Sequence, residues 1–228
     1  MKNIMAVLAI AGVAAGGPAF AAEGWTGLYL NGGVGAGTWS ADTTTVNPAT
    51  GVCVLCTVQT QGGKGWLGKV GIGYDYQFHD SMVAGALLDY DFSSLSGTIQ
   101  DQGPFFAGNI KQQSALAAGA RIGWLFNPDT LGYVNGGWSR ASFSGTTMVN
   151  TGTGVSPGFV TPSFKPSGWF IGAGMETKFA PGWFLRGEYR YASYSGTTVP
   201  DSNGALTTTS ITFKPTVQTG TIQVAYRF

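Results

Sequence analysis

Trp66-Leu67-Gly68-Lys69-Val70-Gly71-Ile72-Gly73-Tyr74-Asp75-Tyr76-Gln77-Phe78 alternates without a break. Trp66, Gly68, Val70, Ile72, Tyr74, Tyr76 and Phe78 fall in one phase, and Leu67, Lys69, Gly71, Gly73, Asp75 and Gln77 in the other. Successive side chains of a strand point to opposite faces, so this run is a strand with one greasy, aromatic face and one small, polar or charged face.

The same split recurs along the chain. Ala84, Ala86, Leu88, Tyr90 and Phe92 oppose Asp89 and Asp91; Ala118, Ala120, Ile122, Trp124 and Phe126 oppose Gly119, Arg121 and Gly123. Trp169, Ile171, Ala173, Met175 and Phe179 oppose Gly172, Gly174, Glu176 and Lys178; Trp183, Leu185, Tyr189 and Tyr191 oppose Arg186, Glu188 and Arg190. Ile222, Val224, Tyr226 and Phe228 oppose Thr221, Gln223 and Arg227. Two further strands are predicted over 26–39 and 131–143. In the latter Arg140 shares the phase of Val134 and Trp138, so either Arg140 lies beyond the apolar band or a bulge shifts the phase.

These eight strands are joined by short turns at 79–81, 127–130 and 180–182, rich in turn formers, and by long stretches at 40–64, 93–111, 144–165 and 196–214. The long ones are rich in Gly, Thr, Ser, Asn and Pro and read as mobile loops. Strict alternation of short and long connections puts tight turns at one end of the sheet and loops at the other, as in outer-membrane barrels.

Composition agrees. Charged residues make up 10% of the 228, against about 25% in a typical soluble domain, while glycine reaches 37 and aromatics 13%. The aromatics cluster at strand ends and the aliphatics at strand centres, the pattern of two interfacial girdles around a lipid-facing band. Lys2, the apolar run 4–13 and Ala19-Phe20-Ala21 read as a cleavable export signal over 1–21, which leaves 22–228 as one barrel domain. Without that leader acids and bases balance, so no charge footprint points to nucleic acid. The fold expected is all-β: an eight-stranded, antiparallel, up-and-down transmembrane barrel with both ends in the periplasm.

Eight strands enclose a lumen that side chains can fill. Its charged phase holds Lys69, Asp75, Asp89, Asp91, Arg121, Glu176, Lys178, Arg186, Glu188, Arg190 and Arg227, with glycines between them to make room. Buried charges must be paired, so this set reads as a network of ion pairs, or alternatively as the lining of a narrow conduction path. Asp89 and Asp91 lie two apart like a catalytic pair, but the same lumen offers them bases. Cys53 and Cys56 lack the βαβ setting of a redox motif and the further ligands of a metal site; a loop disulfide is the simplest reading, with redox and metal roles left open. His79, the one histidine, reads as a solvated turn residue. No catalytic, cofactor-binding or metal site is expected.

Trp25-Thr26-Gly27-Leu28-Tyr29-Leu30-Asn31-Gly32-Gly33, Gly71 to Tyr74, Gly187-Glu188-Tyr189-Arg190-Tyr191 and the ending Ile222-Gln223-Val224-Ala225-Tyr226-Arg227-Phe228 resemble the alphaproteobacterial outer-membrane immunogenic proteins. These "porin family" barrels are related to the OmpA and OmpX barrels. The resemblance implies location in the cell outer membrane, surface exposure and antigenicity. It also implies passage through periplasmic chaperones and the barrel assembly machinery, which reads a C-terminal signal carried here by Ile222, Val224, Tyr226 and Phe228. The function expected is a non-enzymatic, structural and surface-interacting one, with a low-conductance porin for small solutes as the alternative. Lipid is the expected partner of the wall, and host or surface ligands that of the four loops.

Overall fold

The computed structural model describes residues 24–47, 50, 52–101, 106–156, 158–203 and 206–228. The expected leader, 1–21, and the side chains of Cys53 and Cys56 lie outside the described residues. Eight long antiparallel strands form a closed ring: β1 (Gly27–Val46), β2 (Cys53–His79), β3 (Met82–Asp101), β4 (Phe106–Asn127), β5 (Thr130–Phe143), β9 (Ser167–Ala180), β10 (Trp183–Tyr194) and β12 (Leu206–Arg227). Four shorter ones complete the count among the described residues: β6 (Thr146–Thr147), β7 (Val149–Asn150), β8 (Val160–Thr161) and β11 (Thr197–Asn203).

Closure is made by β1 against β12, in register from Tyr29↔Arg227 to Val46↔Ser210. Every strand of the ring then has two neighbours and no edge is left open, as lipid requires of a spanning sheet. The tight turns sit at one end. At the turn between β9 and β10, Gly182 adopts φ +75°, a conformation that favours glycine. The Gly182 carbonyl accepts a hydrogen bond from the Arg227 amide (2.8 Å), tying the last strand to that turn. Trp25 donates its indole N–H to the Pro128 carbonyl (3.1 Å), and the Phe228 amide bonds to the Leu28 carbonyl (2.9 Å). Both ends of the described barrel therefore lie beside the short turns.

The outward face between the two girdles is apolar and exposed: Leu30, Val34, Ile72, Leu88, Ile122, Val134, Ile171, Met175, Leu185, Ile222 and Val224. Trp66, Phe92, Trp138 and Trp169 ring it at the long-loop end, and Phe78, Trp124, Phe126, Phe179 and Trp183 at the other. β5 keeps its phase throughout. Asn135 points inward, Val134, Trp138 and Arg140 outward, and Arg140 stands beyond the girdle tryptophan.

The long connections differ from the expectation of mobile loops. β2 begins thirteen residues before Trp66, roughly 40 Å along the strand at about 3.3 Å per residue. The ring continues past the girdle as a second storey. There β11 pairs with β12, β8 bridges β11 and β6, and β7 pairs with β4. Across the girdle the alternation persists but the faces exchange polarity. In β3, Ser94, Ser96, Thr98 and Gln100 point out, while Leu95 and Ile99 are buried inside. In β12, Thr212 and Lys214 face out and Ile211 and Phe213 in. A register irregularity between Gln112 and Ser114 re-aims β4, so that Ile110 and Gln112 point inward as well as Ala115 and Ala117. The outer storey is thus a water-facing barrel around an apolar core. Trp39, Leu95, Ile99, Ile110, Phe143, Met148, Phe164 and Phe213 fill it, with Phe143 stacked on Phe164 (5.2 Å between centroids) and edge-on to Phe213 (5.6 Å).

Candidate functional site

The lumen inside the membrane-facing band carries ten buried charges in two clusters. In the cluster near the short turns, Glu176 and Asp75 are wholly buried and face three arginines. Glu176 accepts hydrogen bonds from Arg121 Nη1 (3.0 Å), Arg186 Nε (2.8 Å) and Arg227 Nη2 (3.2 Å). Asp75 accepts from Arg121 through Nε (2.8 Å) and Nη2, and from Arg227 Nη2 (2.6 Å). The guanidiniums also lie over rings: Arg121 over Tyr29 (4.7 Å) and Tyr133 (4.9 Å), Arg186 over Tyr29 (4.8 Å), Arg227 over Phe184 (4.5 Å) and Trp25 (5.0 Å). Such stacking stabilises a cation that has lost its water.

In the cluster nearer the girdle, Lys69 Nζ lies 3.2 Å from Glu188, 3.6 Å from Asp91 and 3.8 Å from Asp89. Arg190 reaches Asp89 (2.7 Å) and Glu188 (2.9 Å) and lies over Phe170 (4.4 Å). The first cluster holds three bases and two acids, the second two bases and three acids. Each is off balance by one charge, and together they are neutral. Tyr133 joins them: its hydroxyl donates to Glu188 Oε2 (2.9 Å), and its ring carries Arg121. Asn135 Nδ2 adds a second donor to Glu188 (2.8 Å), and Asn31 bonds Gln223 (2.8 Å).

Of the eleven charged residues expected in this set, Lys178 departs. It holds the inward phase, opposite Phe184, but stands at the rim by the β9–β10 turn and is exposed to water. Alternation fixes which face a residue takes and not its depth. The aromatic and amide partners Tyr29, Tyr133, Asn31, Asn135 and Gln223 were not anticipated. Tyr133 and Asn135 share the inward phase of β5, the strand whose phase the sequence left open. The glycines make room, but for rings where long charged side chains were expected: a Cβ on Gly73 would strike the Tyr29 phenol, and one on Gly174 the Tyr133 phenol.

Apolar layers close both ends of the network. Trp25, Val83, Leu131, Phe184 and Ala225 seal the short-turn end. Leu67, Ala115, Ala117 and Phe170 lie on the other side and merge into the outer-storey core. The lumen is therefore polar in its middle, where the ion pairs lie, and apolar at both ends. Asp89 and Asp91 share Lys69, and Arg190 bonds Asp89. His79, read as a turn residue, is the exposed last residue of β2 at the far end, beside the turn. Tyr226 and Phe228 of the C-terminal segment pack edge to face (5.0 Å), and Trp183 lies against Tyr226 (4.9 Å).

Comparison with known proteins agrees with this architecture. A family model described as the outer membrane protein beta-barrel domain matches residues 5–228. The chain is 24% identical over 200 residues to the 31 kDa outer-membrane immunogenic protein of Brucella melitensis biotype 1, covering 86% of this chain and 82% of that one. The protein of the same name from Brucella suis biovar 1 matches equally. Among solved structures, the outer membrane protein OprG from Pseudomonas aeruginosa superposes with a TM-score of 0.53 at 13% identity, over 90% of this chain and 98% of that one. Ail of Yersinia pestis is also similar, with a TM-score of 0.40 at 13% identity over 86% and 99%. With a closed antiparallel ring, an apolar girdled exterior and a family match over nearly its whole length, the chain belongs to the outer membrane protein beta-barrel domain family and resides in the cell outer membrane.

Proposed function

We propose that this protein is a plugged barrel that anchors a folded, water-facing storey at the cell surface, with a structural and surface-interaction role and no solute channel. One observation carries the reading: three stacked layers, apolar, ionic and apolar, fill the ring from the short turns to the outer storey. A solute would have to part the five buried acids from their five bases, and breaking such a pair costs about 3–5 kcal/mol. The reading is non-enzymatic. The one histidine of the chain stands at the periplasmic end, far from the Ser- and Thr-rich outer storey, and the buried carboxylates are engaged with arginines and Lys69. The Brucella relatives are named immunogenic, which suits a protein whose outer storey faces the surroundings.

Liposome swelling tests the proposal. Vesicles carrying the refolded protein should swell in small sugars no faster than protein-free vesicles. Swelling whose rate falls with sugar size would refute the plugged reading in favour of a narrow porin.

A further inference from the structure

Outside the lumen, the membrane-facing wall carries a concavity. A groove of about 680 Å³ runs along the outward face where β1, β2, β10 and β12 meet, at the level of the outer aromatic girdle. Its floor is Ala36 and Gly220, and a Cβ on Gly220 would meet nothing within 4 Å. Trp66 and Tyr189, both more than half exposed, form its walls. Lys64 and Gln218 stand at its outer lip, and Gln218 Oε1 holds the Tyr189 hydroxyl at 2.8 Å.

At this depth the surroundings are lipid, so the occupant is a membrane component. An acyl chain fits an apolar floor between two rings. The lip then selects the headgroup. Lys64 stands two residues outward of Trp66, as Arg140 does of Trp138, and both are exposed. Lys214 stands four residues further outward than Gln218 on β12 and is exposed. Among the described exterior side chains beyond this girdle, Asp42 is the one acid, and it sits opposite Lys214 in the ladder. The girdle is thus bordered on the outer side by positive charge, which attracts anionic headgroups.

We propose that the groove binds a phosphate-bearing acyl lipid of the outer leaflet, its chain against Ala36 and Gly220 and its phosphate on Lys64. Native mass spectrometry of the refolded full-length barrel tests this with lipid A, dephosphorylated lipid A, phosphatidylcholine and inorganic phosphate as probes. The wild-type protein should retain lipid A, and inorganic phosphate should not displace it. Lys64→Ala should lower retention about fivefold, the weight of one basic residue near an anionic surface. Gly220→Phe should abolish it by filling the floor. Arg140→Ala, on the opposite wall, should leave it unchanged. Equal retention of the dephosphorylated lipid or of phosphatidylcholine would overturn the proposal, and so would an equal loss from Arg140→Ala. Lys64→Ala alone decides the matter if Gly220→Phe fails to refold.

Discussion

Replacing Glu176 with Gln tests whether the lumen is packed with ion pairs. The side chain is wholly buried and receives Arg121, Arg186 and Arg227 at 2.8–3.2 Å. Glutamine keeps the volume and removes the charge. Arg121 and Arg227 would keep Asp75, Arg186 would lose its carboxylate, and the cluster would rise from one excess positive charge to two. Removing one partner from a buried pair costs about 3–5 kcal/mol, which is roughly two to four decades in the folding equilibrium. Urea unfolding of the protein in lipid vesicles, followed by tryptophan fluorescence, measures it. The double replacement Glu176→Gln with Arg186→Gln removes the arginine whose ion-pair partner is Glu176. It should cost less than the sum of the single replacements, with a coupling of about 1–3 kcal/mol. A Glu176→Gln protein within about 0.5 kcal/mol of wild type, the range of ordinary surface changes, would refute the reasoning and mean that water already screens the lumen.

Four further outcomes are expected. Ile72→Arg, midway between the girdles on the lipid face, should destabilise the inserted barrel by about 2–4 kcal/mol in the same unfolding assay. Trp39→Ala removes a buried ring that packs on Phe143 and Phe213 and donates to the Leu95 carbonyl (3.1 Å); a loss of about 3–5 kcal/mol should appear as protease cleavage confined to the outer storey, with the membrane-embedded ring still protected. Lys178→Ala, at the water-exposed rim, should change stability by less than about 0.5 kcal/mol. Deleting Phe228, whose amide bonds Leu28 and whose ring packs on Tyr226, should lower the yield of assembled protein in outer-membrane fractions.

The stretch from Trp66 to Phe78 makes a strand legible because its two faces differ strongly from one another, and a membrane strand legible because its rings, Trp66 with Tyr76 and Phe78, stand at its ends around Val70 and Ile72. The outer storey is hidden in the sequence for a related reason. Past the girdle the exterior solvent changes from lipid to water, so the same alternation carries the opposite polarity. Leu95 and Ile99 among Ser94, Ser96, Thr98 and Gln100 form a soluble-type strand, but their Ser- and Thr-rich composition imitates a loop. Short strands such as β8, of two residues, have no periodicity to read. Period two carries no information about depth, so it does not separate Lys178 at the rim from the buried charges of the same phase. Tyr133 entered the network through β5, where Arg140 obscured the phase, although the structure resolves it simply as a residue beyond the apolar band.

A plugged barrel offers ions no path across the membrane, and single-channel recording of the refolded protein in a planar bilayer, over a wide voltage range and in concentrated salt, measures whether such a path exists. Silent membranes are expected from protein shown to be inserted, with conductance appearing only when the ion network and the outer core are emptied together, as in a protein combining Glu176→Gln, Arg121→Gln, Trp39→Ala and Phe213→Ala. Discrete, reproducible channel openings from the wild-type protein would contradict the account.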